Sequence, residues 1–228
     1  RRGYEHADYI LYLSEFAGES FERAGFDSDR LLKVGPLSAE LSRYQPDHQH
    51  DGEFVVLSVA NMQLLKGTKY LLDAWEQLDL PNARLVLCGS MTDPVKQTLG
   101  PRIEAMHDVE HVGYVSNPEE YYAKASAFVQ PSLSEGFSKV IAEAMAAEVP
   151  VIVTEHCQRE YVDDAGFVVP IRDPDAIARK LRYLYDHPKE AQTMGERGRE
   201  IVESNTWQDF SDRVKDAHET ILERENER

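Results

Sequence analysis

Apolar runs alternate with stretches of helical period along this chain. Residues 9–13, 31–34, 54–59, 83–88, 111–112, 127–130, 149–153 and 166–169 are strand-like runs, most of them nearly continuous in hydrophobic side chains. Between them, Ser14 can cap a helix through Arg23, which Ala24-Gly25 would end. Residues 69–78 place Tyr70, Leu71, Ala74, Trp75 and Leu78 on one helical face. Further helices are predicted over 95–106 and 138–147, from Asn117-Pro118 onward, and from Asp173 or Asp175 through Tyr185. The tail from Thr206 to Glu227 reads as one more helix with a charged end.

Strand and helix in strict alternation, with strands apolar on both faces, predict an α/β fold: a doubly wound, Rossmann-like parallel sheet covered by helices on both sides. In such sheets the ligand lies outside the carboxyl ends of the strands. The loops after Val59, Cys88, Val112, Gln130 and Val153 are therefore the expected functional loops. Residues 43–53 are polar and turn-rich and read as a linker. The organisation expected is a short first unit over 1–51, a ligand-binding domain over 52–200 and a terminal helix over 201–228.

Composition narrows the setting. The 228 residues are 42 % hydrophobic, enough for a substantial core. No apolar run approaches the ~20 residues that span a bilayer. No signal-peptide pattern opens the chain, and the two cysteines, Cys88 and Cys157, form no disulfide framework or zinc spacing, so a reducing cytoplasm is expected. The chain opens on Arg1-Arg2-Gly3 without a Met, which suggests a piece of a longer protein. The formal net charge is -16, with 41 Asp and Glu against 25 Lys and Arg. Such a field argues against a nucleic-acid partner. The scarcity of Lys among the basic residues points to a halophilic host; the alternative is a merely acidic protein. A bound anion must be held by local donors, because the global field opposes it.

The densest candidate chemistry follows the strand at 127–130: Pro131-Ser132-Leu133-Ser134-Glu135-Gly136-Phe137-Ser138-Lys139-Val140-Ile141-Ala142-Glu143. Gly136 permits close approach of the backbone to a ligand. The amides of Phe137, Ser138 and Lys139 would stand unpaired at a helix N-terminus, an anion site suited to a diphosphate. Glu143, in the second turn, can accept hydroxyl hydrogen bonds such as a ribose diol offers. Taken alone, two glutamates eight apart in an acidic chain are more often solvated.

Their context is more specific. The stretch Glu135 to Glu143 resembles the E-x7-E signature of the retaining glycosyltransferases of GT-B type (glycosyltransferase group 1, family 4), which include sucrose synthases, mannosyltransferases and glycogen synthases. Five other segments resemble the family in order. They are His6-Ala7-Asp8-Tyr9-Ile10 with Leu13-Ser14-Glu15, Ser58-Val59-Ala60-Asn61-Met62 with Lys66-Gly67, and Val112-Gly113-Tyr114-Val115. Ala146 through Ile152 and Asp164 through Pro170 complete the series. The resemblance implies that this chain is the C-terminal donor-binding half, preceded by the end of an acceptor domain that is mostly missing. Glu135 would contact the donor sugar and, with Lys66 on the diphosphate, carry the chemistry. Glu143 would hold the ribose, Tyr114 and Val115 the base, and Ala60, Asn61, Gly67, Ser134, Gly136, Phe137, Ser138 and Lys139 the rest of the donor.

The reaction implied moves a hexose from a nucleotide diphosphate sugar to an acceptor hydroxyl on a glycan, lipid or protein-linked sugar, with no cofactor and no essential metal. Peripheral membrane contact through the missing domain is compatible with it. The chain departs from the family at Ala60, usually Gly, at Asn61, often Arg, at Glu148, and at His156-Cys157-Gln158, where a Gly-rich turn is usual before a Glu matched by Glu160. Two alternatives stand beside the transferase: a nucleotide-sugar-binding module inactive by itself, and a nucleotide-sugar epimerase of similar fold.

Other signals are discounted. Asp27-Ser28-Asp29 and Asp173-Pro174-Asp175 fall where caps and turns belong. Asp47-His48-Gln49-His50-Asp51 is read as a solvated linker rather than a metal site. Trp75 and the Phe137 ring are read as packing residues. The chain contains neither G-x-G-x-x-G nor G-x-x-x-x-G-K.

Overall fold

A computed structural model describes residues 2–46 and 52–227. A first turn of helix, α1 (Arg2–Glu5), leads into a small parallel unit: β1 (Ile10–Tyr12), α2 (Glu15–Arg23) and β2 (Leu31–Lys33). The main sheet follows, built from β3 (Phe54–Val59), β4 (Ala83–Cys88), β5 (Val109–Gly113), β6 (Ala127–Gln130), β7 (Val151–Thr154) and β8 (Gly166–Val169). All six strands are parallel, in the order β5-β4-β3-β6-β7-β8. The connecting helices are α3 (Thr68–Trp75), α4 (Asp93–Ala105), α5 (Glu119–Tyr122), α6 (Lys139–Ala146) and α7 (Pro174–Asp186). Then come α8 (Pro188–Glu203) and α9 (Trp207–Asn226).

The doubly wound sheet expected from the sequence is the one observed. Phe128 packs into the core on one face, with Tyr122, Ile141 and Met145, while its neighbours Ala127 and Val129 pack on the other with Leu71, Leu85 and Ile177. Burial on both faces is why β3, β6 and β7 read as nearly unbroken apolar runs, whereas the edge strand β5 exposes Glu110 and His111 and was legible only at 111–112. The chain winds outward through β4 and β5, then returns beside β3 as β6 and winds the other way. That reversal makes the carboxyl ends of β3 and β6 a topological switch point, where sheets of this kind leave a crevice.

Two expectations are corrected. The stretch 43–53 is not a free linker throughout, because Tyr44 is buried and stands edge-on to Tyr122 at 5.5 Å. Residues 47–51, with their His and Asp pairs, lie outside the described residues. The helix α8 was not anticipated: its buried positions are Ala191, Gly195, Gly198 and Val202, too small to write an apolar stripe. Asp27 and Asp173 act as caps, accepting from the amides of Asp29 and Ala176.

The tail helix α9 opens with a reciprocal cap between Thr206 and Asp209. It returns to the first unit, where Arg213 donates to the carbonyls of Val34 (3.1 Å) and Pro36 (2.6 Å) and the Tyr9 hydroxyl donates to Glu225 at 3.1 Å. No helix among the described residues is long and apolar enough to cross a membrane.

Candidate active site at the sheet crevice

The five anticipated loops gather at the carboxyl edge of the sheet. The loop after β3 carries Ala60, Asn61, Lys66 and Gly67. Gly67 has φ +69°, and a Cβ there would lie 1.9 Å from the Pro131 carbonyl oxygen, so only glycine lets this loop close onto the one after β6. The Leu133 amide donates to the Leu65 carbonyl at 2.7 Å and completes the seam. The result is an ion pair across the crevice, Lys66 Nζ to Glu135 Oε2, with both side chains mostly buried. The loop after β4 is drawn in by Gly89, whose Cβ position lies 1.8 Å from the Ala60 carbonyl oxygen, and whose amide donates to Gly113 at 2.7 Å. Tyr114 follows β5 as a ring 80 % exposed, and Val115 packs against the core beneath it.

The loop after β7 forms the third wall. The His156 carbonyl accepts the Glu135 amide at 3.0 Å, and its Nδ1 lies 2.8 Å from the Leu133 carbonyl. Gln158 is 1 % exposed and grips Ser138 twice: Oε1 accepts the Ser138 amide at 2.9 Å and Nε2 donates to its carbonyl at 2.7 Å. This corrects the sequence reading of three free amides at the start of α6. The Ser138 amide is occupied, which leaves those of Phe137 and Lys139 as candidate anion donors. Lys139 sends its ammonium over the Trp207 ring at 5.8 Å, so its side chain is committed to α9.

Glu143 lies half-buried on α6. The Tyr122 hydroxyl donates to its Oε2 at 3.2 Å, with the Val140 carbonyl at 3.3 Å as a second acceptor. Burial first, and the Glu143 charge second, push the Tyr122 phenol well above its ordinary range, so it stays a donor. The two cysteines are also fixed in the neutral form: burial raises Cys157 to about 11 and Cys88 to about 12, which makes both poor nucleophiles.

The first unit reaches into this site. Ser14 caps α2 by accepting from the Ala17 amide at 3.2 Å, and its buried hydroxyl donates to the Gly136 carbonyl. Glu160 accepts the Glu15 amide at 2.8 Å and pairs with Lys33 at 3.4 Å, while Phe16 stacks on His156 at 4.7 Å. Ser14, Tyr44, Tyr122 and Gln158 were not singled out from the sequence as site residues. Ser14 appears there as a helix cap within a family-like segment, and Gln158 within a stretch where the resembling family has a Gly-rich turn.

A topological switch point, with a Lys–Glu pair across it and a helix N-terminus beneath, is a candidate site for an anionic ligand on an α/β domain. Residues 42–201 match the profile of the family Glycosyl transferases group 1, and the chain belongs to that family. EpsD of Bacillus subtilis, named as a glycosyltransferase, is 30% identical over 198 residues, which are 82% of this chain and 52% of that protein. Two solved structures share the fold. Sucrose-phosphate synthase of Thermosynechococcus elongatus has a TM-score of 0.82 at 24% identity, over 96% of this chain and 59% of that one. Anabaena HepE, solved in complex with UDP and glucose, has a TM-score of 0.81 at 18% identity, over 95% of this chain and 64% of that one. The chain spans about half the length of the curated relatives it matches.

Proposed function

We propose that this chain is the donor half of a retaining hexosyltransferase that takes its sugar from a nucleotide diphosphate sugar. The observation that carries the reading is the Lys66–Glu135 pair between the carboxyl ends of β3 and β6, with Glu143 on the helix α6 that follows the Glu135 loop. HepE, of the same fold, binds UDP and glucose, which supports a nucleotide sugar here. In this reading the incoming diphosphate draws Lys66 from Glu135 and lies against the Phe137 and Lys139 amides. Glu135 is then released toward the sugar, where its negative charge faces the anomeric carbon as it becomes cationic. Glu143 holds the ribose, and Tyr114 and Val115 border the base. The acceptor hydroxyl attacks on the face from which the diphosphate departs, so the anomeric configuration is kept. The main catalytic contribution is stabilisation of the leaving diphosphate by Lys66 and the two amides. With that charge supplied by the protein, the reading calls for no essential metal or other cofactor.

The acceptor contacts belong to the other half of the protein, acting on a glycan, lipid or protein-linked sugar in the cytoplasm. A second reading, a binding module inactive by itself, is favoured by the chain's spanning about half of its relatives. Calorimetric titration of the chain with UDP-, GDP- and ADP-sugars tests donor binding, and a turnover assay of the chain beside the whole protein separates the two readings. No binding of any of the three at millimolar concentration refutes the donor assignment.

A further inference from the structure

Glu143 is not a freely rotating carboxylate. Tyr122, which has no exposed surface, delivers its hydroxyl to one carboxylate oxygen. Its ring is fixed between Tyr44, edge-on at 5.5 Å, and Phe128 at 5.8 Å. Tyr44 is held in turn: its carbonyl accepts from Arg199 at 3.3 Å, and the neighbouring Arg43 binds Glu119 at 3.0 Å and the Ser116 carbonyl at 3.1 Å. Burial, then the charge of Glu143, raises the Tyr44 phenol, so both phenols facing this carboxylate remain protonated.

A carboxylate that binds a vicinal diol must turn both acceptor directions toward two hydroxyls at once. A half-buried glutamate with free side-chain torsions would lose rotamer entropy on doing so. We propose that Tyr122, with Tyr44 packed on it, is a positioning residue for Glu143: it fixes the carboxylate plane so that its remaining acceptor directions meet the 2′- and 3′-hydroxyls of a ribose. The proposal rests on the reading of Glu143 as the ribose-binding group. It also gives the buried Tyr44, which lies outside the main sheet, a share in nucleotide recognition.

The test is the discrimination between ribose and 2′-deoxyribose. The protein is titrated with UDP, GDP and ADP, and with the 2′-deoxy form of whichever binds tightest. Tyr122→Phe keeps the ring and removes only the hydroxyl. It is expected to weaken ribonucleotide binding about fivefold, the scale of one hydrogen bond, and to leave the 2′-deoxy form nearly unaffected, so that the ratio between them shrinks. In turnover the loss falls in donor KM rather than kcat. Tyr44→Phe, which leaves Tyr122 in place, is expected to shrink the ratio less. Adding Glu143→Gln to Tyr122→Phe should cost little more than Glu143→Gln alone. An unchanged ratio in a folded Tyr122→Phe protein overturns the proposal and leaves the ribose reading standing. A wild-type protein that does not discriminate, with Glu143→Gln equally silent, overturns the ribose reading and the proposal with it.

Discussion

Lys66 and Glu135, 69 positions apart in the chain, meet as an ion pair across the crevice between β3 and β6. Each of the two charges is held by the other. In a chain of net charge -16 this pairing offsets the Glu135 charge that would otherwise repel an anion there. In the proposed donor reading, ligand entry is an exchange of partners.

The two glutamates should separate in kinetics. Glu135→Gln removes a charge whose value rises in the transition state, so kcat of the whole enzyme should fall by about 10²-fold or more. In the proposed reading Glu143 holds a ribose that does not change during reaction, so Glu143→Gln should raise donor KM instead. The reverse pattern in steady-state kinetics would show that the sugar and ribose ends of α6 are exchanged.

Nucleotide binding should be measurable on this chain. A nucleoside diphosphate is expected to bind with Kd of ~10 µM to 1 mM, that is ~4 to 7 kcal/mol. Glu143→Ala should weaken it by ~1 to 3 kcal/mol. Isothermal calorimetry in high salt reads both quantities.

Gln158→Ala strips partners from a buried amide and a buried carbonyl of Ser138. Chemical denaturation should show a loss of ~2 to 4 kcal/mol, the cost of leaving such groups unpaired. Gln158→Glu should also destabilise, because a carboxylate can accept from the Ser138 amide but cannot donate to its carbonyl. Equal stability of all three proteins would mean that water replaces the clamp.

Two electrostatic outcomes have opposite origins. Screening of the excess carboxylates should raise the melting temperature between low salt and molar KCl, and a flat or falling curve would refute the halophilic reading. Arg102 ties α4 to α3 through Asp73 (2.7 Å) and Glu76 (2.6 Å). Asp73 is lowered despite its burial, because hydrogen bonds from Lys69 and Arg102 outweigh desolvation; the Arg102 hydrogen bond lowers Glu76. A depressed carboxylate adds stability above its unfolded value, about 3.9 for Asp and 4.3 for Glu, and loses it as pH falls through the folded value. Arg102→Gln should therefore lower stability at neutral pH and flatten its decline in acid.

Burial on two faces made the centre of the fold legible. Phe54–Val59, Ala83–Cys88, Ala127–Gln130 and Gly166–Val169 coincide with their apolar runs to the residue. Contacts made by small or polar residues were not legible. The face of α8 is closed by Gly195, whose Cβ position lies 1.9 Å from the Glu148 carbonyl oxygen, and such proximity leaves no hydrophobic signal. Tyr44 stands in a polar stretch, and only the Tyr122 ring gives it a reason to be buried. Gln158 resembles a solvated turn residue until Ser138, 20 positions earlier, is folded against it. For the candidate site, the family resemblance of the Glu135 to Glu143 stretch singled out the two glutamates, whereas the groups that hold them come from elements far away in the chain.

The reversal of strand order also bears on how the molecule assembles. On one side β3, β4 and β5 can zip in succession, and on the other β6, β7 and β8 can do the same, each pairing with the next strand in the chain. Only the β3–β6 junction joins the two groups. It pairs Val56 with Ala127 and Leu57 with Phe128, and the Val55 amide with a hydroxyl 71 positions away. Closing so long a loop comes at an entropic cost that nearer pairings avoid. Among the strand pairings of the main sheet, the one beside which Lys66 meets Glu135 is thus the slowest to nucleate, and ligand-binding competence should arrive in refolding after most secondary structure has formed.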